Sequence, residues 1–356
     1  MFSPALERVL INIVAATILL VAPRHLMAQS SSHKNLLIVT LDGFRWQEVF
    51  MGADSSLLFN PENMTDPTLA QRFWDADPLV RRTKVLPFVW SIAEKHGQLY
   101  GNSNYGNTVT CVNPYRASFP GYSEMFTGKA DVRIHSKRKR ENPNRNVLEA
   151  LEATTEFDDH VAVFSSWHAF PQILGKSRAS ITFGGSYTVD HQEANDTVTL
   201  NMAFEYLKKE KPRVLLISLN GTDEHGHGGR YDLYLKSAYA ADRYIATLWD
   251  WLQRTEEYKD KTTLVMTTDH GRGRFPRGGW KVHGIFAPQS RRTWMVIMGP
   301  DIRPTGEQKE KRKYFQKQIA STLGRLMGIG FEPGDVITEI VEKPPLSDDY
   351  TLRENH

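Results

Sequence analysis

Three apolar runs of strand length govern what this chain can fold into, because each ends directly in turn and charged residues. Asn35 to Leu41 (NLLIVTL) leads into Asp42-Gly-Phe44, and Arg213 to Leu219 (RVLLISL) leads into Asn220-Gly-Thr-Asp223. Thr262 to Thr268 (TTLVMTT) leads into Asp269-His-Gly271. An apolar run without polar alternation reads as a strand buried on both faces, as parallel strands are. Further strands are expected at His160 to Ser165, Ile181 to Phe183 and Thr293 to Met298. Helical patterns lie between them: Leu86 to Lys95, Val147 to Ala153, about Thr199 to Lys209, Tyr231 to Arg254 and Tyr314 to Met327. Gln47 to Thr83 shows no periodicity and reads as a long surface excursion; Gly101 to Thr110 reads as a polar connection. Strands alternating with helices predict an α/β fold: a doubly wound, mostly parallel sheet flanked by helices on both faces. In such sheets ligands bind beyond the carboxyl ends of the strands, where Asp42, Asp223 and Asp269 fall.

The remaining composition narrows the class. A 356-residue chain with 40% hydrophobic and 24% charged residues can bury a large core, and a net charge of +3 is too small to argue for specific nucleic-acid binding. No repeat and no interior linker divides it. The apolar run Val9 to Ala22 follows Arg8 and precedes Ala28-Gln-Ser-Ser; it is short for a bilayer span and has the size of a signal-peptide core. The expectation is a signal peptide over 1–28, a single catalytic domain over 29–356, export to the periplasm or the medium, and no stable membrane span after cleavage. A retained anchor is the alternative. The single cysteine, Cys111, excludes an intrachain disulfide framework and reads as a small buried hydrophobe. The basic run His135 to Arg140 reads as a solvated loop, or as a rim that attracts an anionic substrate.

Chemistry gathers at the strand ends. Asp269 and His270, a carboxylate and an imidazole, suit zinc or a similar divalent ion. Asp223 and His227 stand four residues apart in a glycine-rich segment expected to be a loop, with His225 between them, and glycines let a backbone fold closely around an ion. In Cys111 to Gly128, Pro120 suits a first helical turn, which puts Ser118 just before a helix N-terminus. A hydroxyl there caps the helix and is also open to a metal and to a phosphoryl group, an anion that the helix dipole favours. With His283, these residues supply oxygen and nitrogen donors enough for two divalent ions about 3.5 to 4 Å apart.

In order and local sequence, Leu41-Asp-Gly-Phe44, Ser118-Phe-Pro120, Asp223-x-x-Gly-His227, Thr268-Asp-His-Gly271 and His283-Gly284 resemble the alkaline phosphatase superfamily, and more closely its type I phosphodiesterase and nucleotide pyrophosphatase branch. The resemblance implies a metal-dependent phosphoric ester hydrolase acting on a small phosphate ester or nucleotide. By that resemblance Asp42, Asp269 and His270 hold one zinc ion, which Ser118 contacts; Asp223, His227 and His283 hold the other. Ser118 is then the nucleophile, and one of Asn142, Asn144 and Asn146 binds the phosphate. The branch usually has threonine where Ser118 stands, so monoester against diester preference stays open. The sulfatase branch draws its nucleophile from Cys-or-Ser-x-Pro-x-Arg, whereas Pro114 lies one place too late for Cys111 and Tyr122 stands where Ser118 would need arginine. A phosphoglycerate mutase needs a large inserted domain, and Ser118 to Asp223 leaves no room for one. A phosphomonoesterase, a sulfatase and a non-catalytic secreted binding protein are the other readings.

Overall fold

The computed structural model describes residues 34–135, 140–188, 195–274 and 279–341. The expected leader lies outside the described residues, as does most of the basic run after His135.

The strands are β1 (Asn35–Leu41), β2 (Gly97–Tyr100), β3 (Thr108–Thr110), β4 (Val161–Ser165), β5 (Thr182–Gly184), β6 (Val214–Leu219), β7 (Thr262–Thr267), β8 (Arg292–Thr293), β9 (Met295–Met298), β10 (Gly306–Glu307) and β11 (Lys313–Phe315). Among the described residues, eight of them form one sheet in the order β10-β2-β9-β7-β1-β6-β4-β5. From β7 to β5 every neighbouring pair is parallel, and β9 runs antiparallel between β7 and β2. A small sheet, β11-β3-β8, stands apart.

The apolar runs are buried on both sides, as their sequences demand. Leu37, Val39 and Leu41 of β1 join one core cluster with Leu215, Ile217, Leu264 and Met266. Leu36 and Ile38 point the other way and join a second with Val214, Leu216 and Val265. Period-two alternation thus feeds two cores. The Tyr231–Arg254 helix covers the first through Tyr234, Leu235, Ala238, Ile245 and Leu248, and the Ser118–Thr127 and Gln318–Leu326 helices cover the second through Tyr122, Met125, Ile319 and Leu323.

Several local expectations are corrected. Gln47 to Thr83 is not a surface excursion: short helices at Trp46–Met51, Ser55–Leu58, Thr68–Phe73 and Pro78–Val85 bury Phe50, Leu57, Leu58 and Phe73 in the first core. Helices this short show too few turns to leave a period. The helix expected over Leu86 to Lys95 is present within a residue at each end, over 87–96, but its middle is a π turn at Val89–Ala93, continued by Glu94–His96. Gly97 then opens a strand, and Gly101 to Thr110 contains β3. Tyr314 belongs to β11, and its helix starts at Gln318.

Candidate active site

Three neighbouring parallel strands, β7, β1 and β6, deliver the site residues to one sheet edge. Asp42 follows β1, Asp269 and His270 follow β7, and the Gly221–His227 helix follows β6. That helix replaces the expected loop, and it sets Asp223 and His227 on one face, one turn apart. Gly43 turns the chain at φ 60°, a conformation that costs other residues dearly. Its N–H donates to Asp269 Oδ1 at 3.0 Å. Thr222 Oγ1 donates to the Asp42 carbonyl at 2.6 Å, which ties β1 to the Asp223 helix.

Asp42, Asp269 and His270 form a buried group. His270 Nε2 lies 3.5 Å from Asp42 Oδ1 and 3.3 Å from Asp269 Oδ2. Nδ1 of the same ring lies 2.9 Å from the Gly271 carbonyl, which requires Nδ1–H as donor and leaves the Nε2 lone pair facing the carboxylates. Asp269 Oδ2 is buried and has no hydrogen-bond partner. Ser118 heads its ten-residue helix, and its Oγ lies 3.2 Å from Asp42 Oδ1 and 3.2 Å from His270 Nε2.

A second group adjoins it. Asp223 Oδ2 lies 3.2 Å from His227 Nε2, and His283 Nε2 lies 3.0 Å from His227 Nε2 and 3.9 Å from Asp223 Oδ1. His283 Nδ1 lies 3.1 Å from the Arg116 carbonyl, the same arrangement that orients His270. The His270 and His283 rings stack with centroids 3.9 Å apart. Two triplets bring ligand atoms within 4.8 Å of one another: Asp42, Asp269 and His270; and Asp223, His270 and His283. His270 therefore stands between the two groups, and the half-exposed His227 lies beside Asp223 and His283, outside both triplets.

Electrostatics fit divalent ions. Burial pushes both imidazoles down, to about 4 for His270, where Asp223 opposes the shift, and to about 3 for His283, where His270 adds to it, so they are neutral donors at neutral pH. Burial and then repulsion from Asp269 and Asp223 raise Asp42, and burial raises Asp269 to about 7. Burial also opposes ionisation of Asp223, but the His227 hydrogen bond and the Arg272 charge overcome it and hold that carboxyl low. Convergent carboxylates, imidazole lone pairs and an orphaned carboxylate oxygen are the donor set that a cation satisfies.

The three asparagines have other hydrogen-bond partners in this structure. Asn142 Nδ2 donates to Ser123 Oγ at 2.9 Å, Asn144 donates to Asp131 at 2.9 Å, and Asn146 Oδ1 caps the Val147–Glu152 helix by accepting from Leu148 and Glu149. Among the described residues none of the three hydrogen-bonds to Ser118 or to a residue of either group. Cys111 is buried, and burial pushes its thiol far up.

Sequence reasoning missed Arg272 and Gln316. Gln316 Nε2 donates to the Asp269 carbonyl at 2.9 Å and to the Gly121 carbonyl at 2.8 Å, joining the Ser118 helix to the β7 turn. Arg272 is fully buried against Asp223. Its signal lay in glycines: side chains at Gly43 or Gly226 would collide with it.

The sheet and its flanking helices are of the alkaline phosphatase-like class of α/β proteins. A family model described as Sulfatase matches residues 34–329, and the chain belongs to that family, within the alkaline phosphatase superfamily. Among solved structures, alkaline phosphatase PafA superposes with a TM-score of 0.58 at 10% identity, covering 87% of this chain and 99% of that one. Lipoteichoic acid synthase LtaP from Listeria monocytogenes gives 0.56 at 13% identity, over 87% and 75% of the two chains. The periplasmic domain of phosphoethanolamine transferase EptC from Campylobacter jejuni gives 0.54 at 12% identity, over 87% and 94%. At these identities the likeness shows the fold. No curated protein sequence matches the chain. Members of the superfamily are hydrolases or transferases of phosphate or sulfate esters and generally use divalent ions. Among the described residues no helix is long and apolar enough to cross a membrane.

Proposed function

We propose that the chain is an exported phosphoric ester hydrolase, similar to phosphodiesterases and nucleotide pyrophosphatases, with Ser118 as nucleophile. The observation that carries this reading is the Ser118 hydroxyl at the head of a helix, 3.2 Å from both Asp42 Oδ1 and His270 Nε2. Asp42, Asp269, His270 and Ser118 would hold one divalent ion, and Asp223, His227 and His283 the other; three imidazoles favour zinc. Such ions supply Lewis-acid stabilisation of a serine alkoxide and of charge on phosphoryl oxygens. Asp42 Oδ1 accepts the Ser118 hydroxyl hydrogen bond, and His270 Nε2 flanks the same oxygen. Ser118 Oγ bonds to phosphorus as its own proton is lost to solvent, the alcohol oxygen leaves with the bonding pair and takes up a proton, and water then cleaves the phosphoserine ester, releasing the phosphate product and restoring the hydroxyl. The helix N-terminus favours the anionic group undergoing transfer.

The leader over 1–28, removed after Ala28, would direct export and leave 29–356 as one catalytic domain. Sulfate ester hydrolysis is the second reading, supported by the family match. Phosphate is favoured because Tyr122, which stands where the sulfatase nucleophile motif has arginine, is buried and bonded to Thr40 and Ser218. The test is hydrolysis of nitrophenyl phosphate, a nitrophenyl phosphodiester and nitrophenyl sulfate by zinc-loaded wild type and Ser118→Ala. Phosphate or diester turnover that falls at least 1,000-fold in the variant, with zinc content retained, supports the reading; sulfate turnover alone, or activity indifferent to Ser118, sinks it.

A further inference from the structure

Arg272 lies in the turn that follows Asp269-His270, with a relative exposure of 1%. A buried guanidinium is stable only when its donors are matched, and here three nitrogens have separate partners. Nε donates to the Trp280 carbonyl at 2.7 Å, Nη2 to the Lys281 carbonyl at 2.6 Å, and Nη1 to Asp223 Oδ1. The two carbonyls lie three and two residues before His283, so one side chain joins the segment carrying His283 to the helix carrying Asp223 and His227.

The space for it is made by missing side chains. A Cβ at Gly226 would sit 2.6 Å from Arg272 Cζ, and one at Gly43 would sit 2.8 Å from Nη1. Gly226 precedes His227 and Gly43 follows Asp42, so the cradle is cut from the segments that carry the candidate ligands. Asp223 is divided by this contact: Oδ1 is taken by Arg272, while Oδ2 faces His227 at 3.2 Å.

We propose that Arg272 is the positioning residue of the second metal-ion group, clamping the Asp223 carboxylate in place and holding the His283 segment against it. This rests on the reading of Asp223, His227 and His283 as ligands. Lysine offers a single nitrogen and cannot replace a fork that spans three acceptors.

The test is zinc titration of the full chain against a chelating indicator, with far-UV circular dichroism as a check on folding. Wild type takes up two ions. In Arg272→Met one ion binds as in wild type and the other weakens 10- to 100-fold, the range for losing a group that orients a ligand. Arg272→Lys falls between, and raising zinc restores its turnover. Gly226→Ala keeps every charge but displaces the guanidinium, and it weakens the same ion. Two ions bound by Arg272→Met within twofold of wild type would overturn the inference while leaving the two-ion reading intact. Equal weakening of both ions in Arg272→Lys and Gly226→Ala would also overturn it, making Arg272 a general support of the fold. No zinc uptake by wild type would remove the ligand reading and this inference with it.

Discussion

Replacing Gly43 with alanine puts the geometry of the site to a quantitative test. The position has φ 60°, and a Cβ there would stand 2.6 Å from Asp223 Oδ1, 2.8 Å from Arg272 Nη1 and 3.1 Å from His270 Cε1. Ordinary contact begins at 3.4 Å, so Asp223 Oδ1 must retreat by about 0.8 Å (3.4 − 2.6) and Arg272 Nη1 by about 0.6 Å (3.4 − 2.8). Neither yields readily, since each is pinned by the other and Arg272 is held by two carbonyls. Left-handed backbone costs alanine about 1 to 2 kcal/mol and overpacking adds about 1 to 3 kcal/mol, so the fold should lose about 2 to 5 kcal/mol. Metal ligands tolerate displacements of about 0.2 Å, so a shift several times larger should abolish tight binding of the ion held by Asp223. Gly52→Ala is the control: φ is 72° and its Cβ would meet the Arg81 backbone at 2.5 Å, away from the site. Urea denaturation should rank the two variants similarly, whereas zinc titration should separate them, with Gly52→Ala near wild type and Gly43→Ala weakened at least tenfold. Equal zinc affinities in the two variants would refute the reasoning.

Zinc affinity should depend on pH with a sign fixed by the carboxylates. A ligand must lose its proton to bind, and Asp269 stands at about 7 in the metal-free protein with Asp42 also raised. His270 and His283, at about 4 and about 3, are already neutral above that range. Affinity should therefore fall up to tenfold per displaced proton for each pH unit below 7; a flat affinity from pH 8 to 5.5, measured calorimetrically in two buffers, contradicts this. Asn146→Ala should cost about 1 kcal/mol by removing a helix cap while leaving KM unchanged; a raised KM at unchanged stability would return Asn146 to the substrate.

What the sequence disclosed follows the strength of each physical signal. The runs ending at Leu41, Leu219 and Thr267 were visible because strands buried on both faces tolerate almost no polar residue, and the Tyr231–Arg254 helix because 24 residues give its period many turns. β2 and β3 were not, because strands of four and three residues owe their existence to partners nearly 200 residues away. The helix at Gly221–His227 hid behind its glycines, which lower helix propensity in isolation but are tolerated where packing against Arg272 demands small residues. The three asparagines show a different limit. An amide that caps a helix and an amide that binds a phosphate look alike in a sequence, and only their surroundings separate them.

Cys111 gives the molecule a built-in clock. Its N–H bonds to the Arg291 carbonyl beside β3, seven residues before Ser118, and its thiol is both buried and held protonated. A thiol reagent cannot react with it in the closed structure, so the labelling rate of wild-type protein counts openings of the segment that carries the nucleophile. Because the chain has no other cysteine, that count needs no mutation and no added probe.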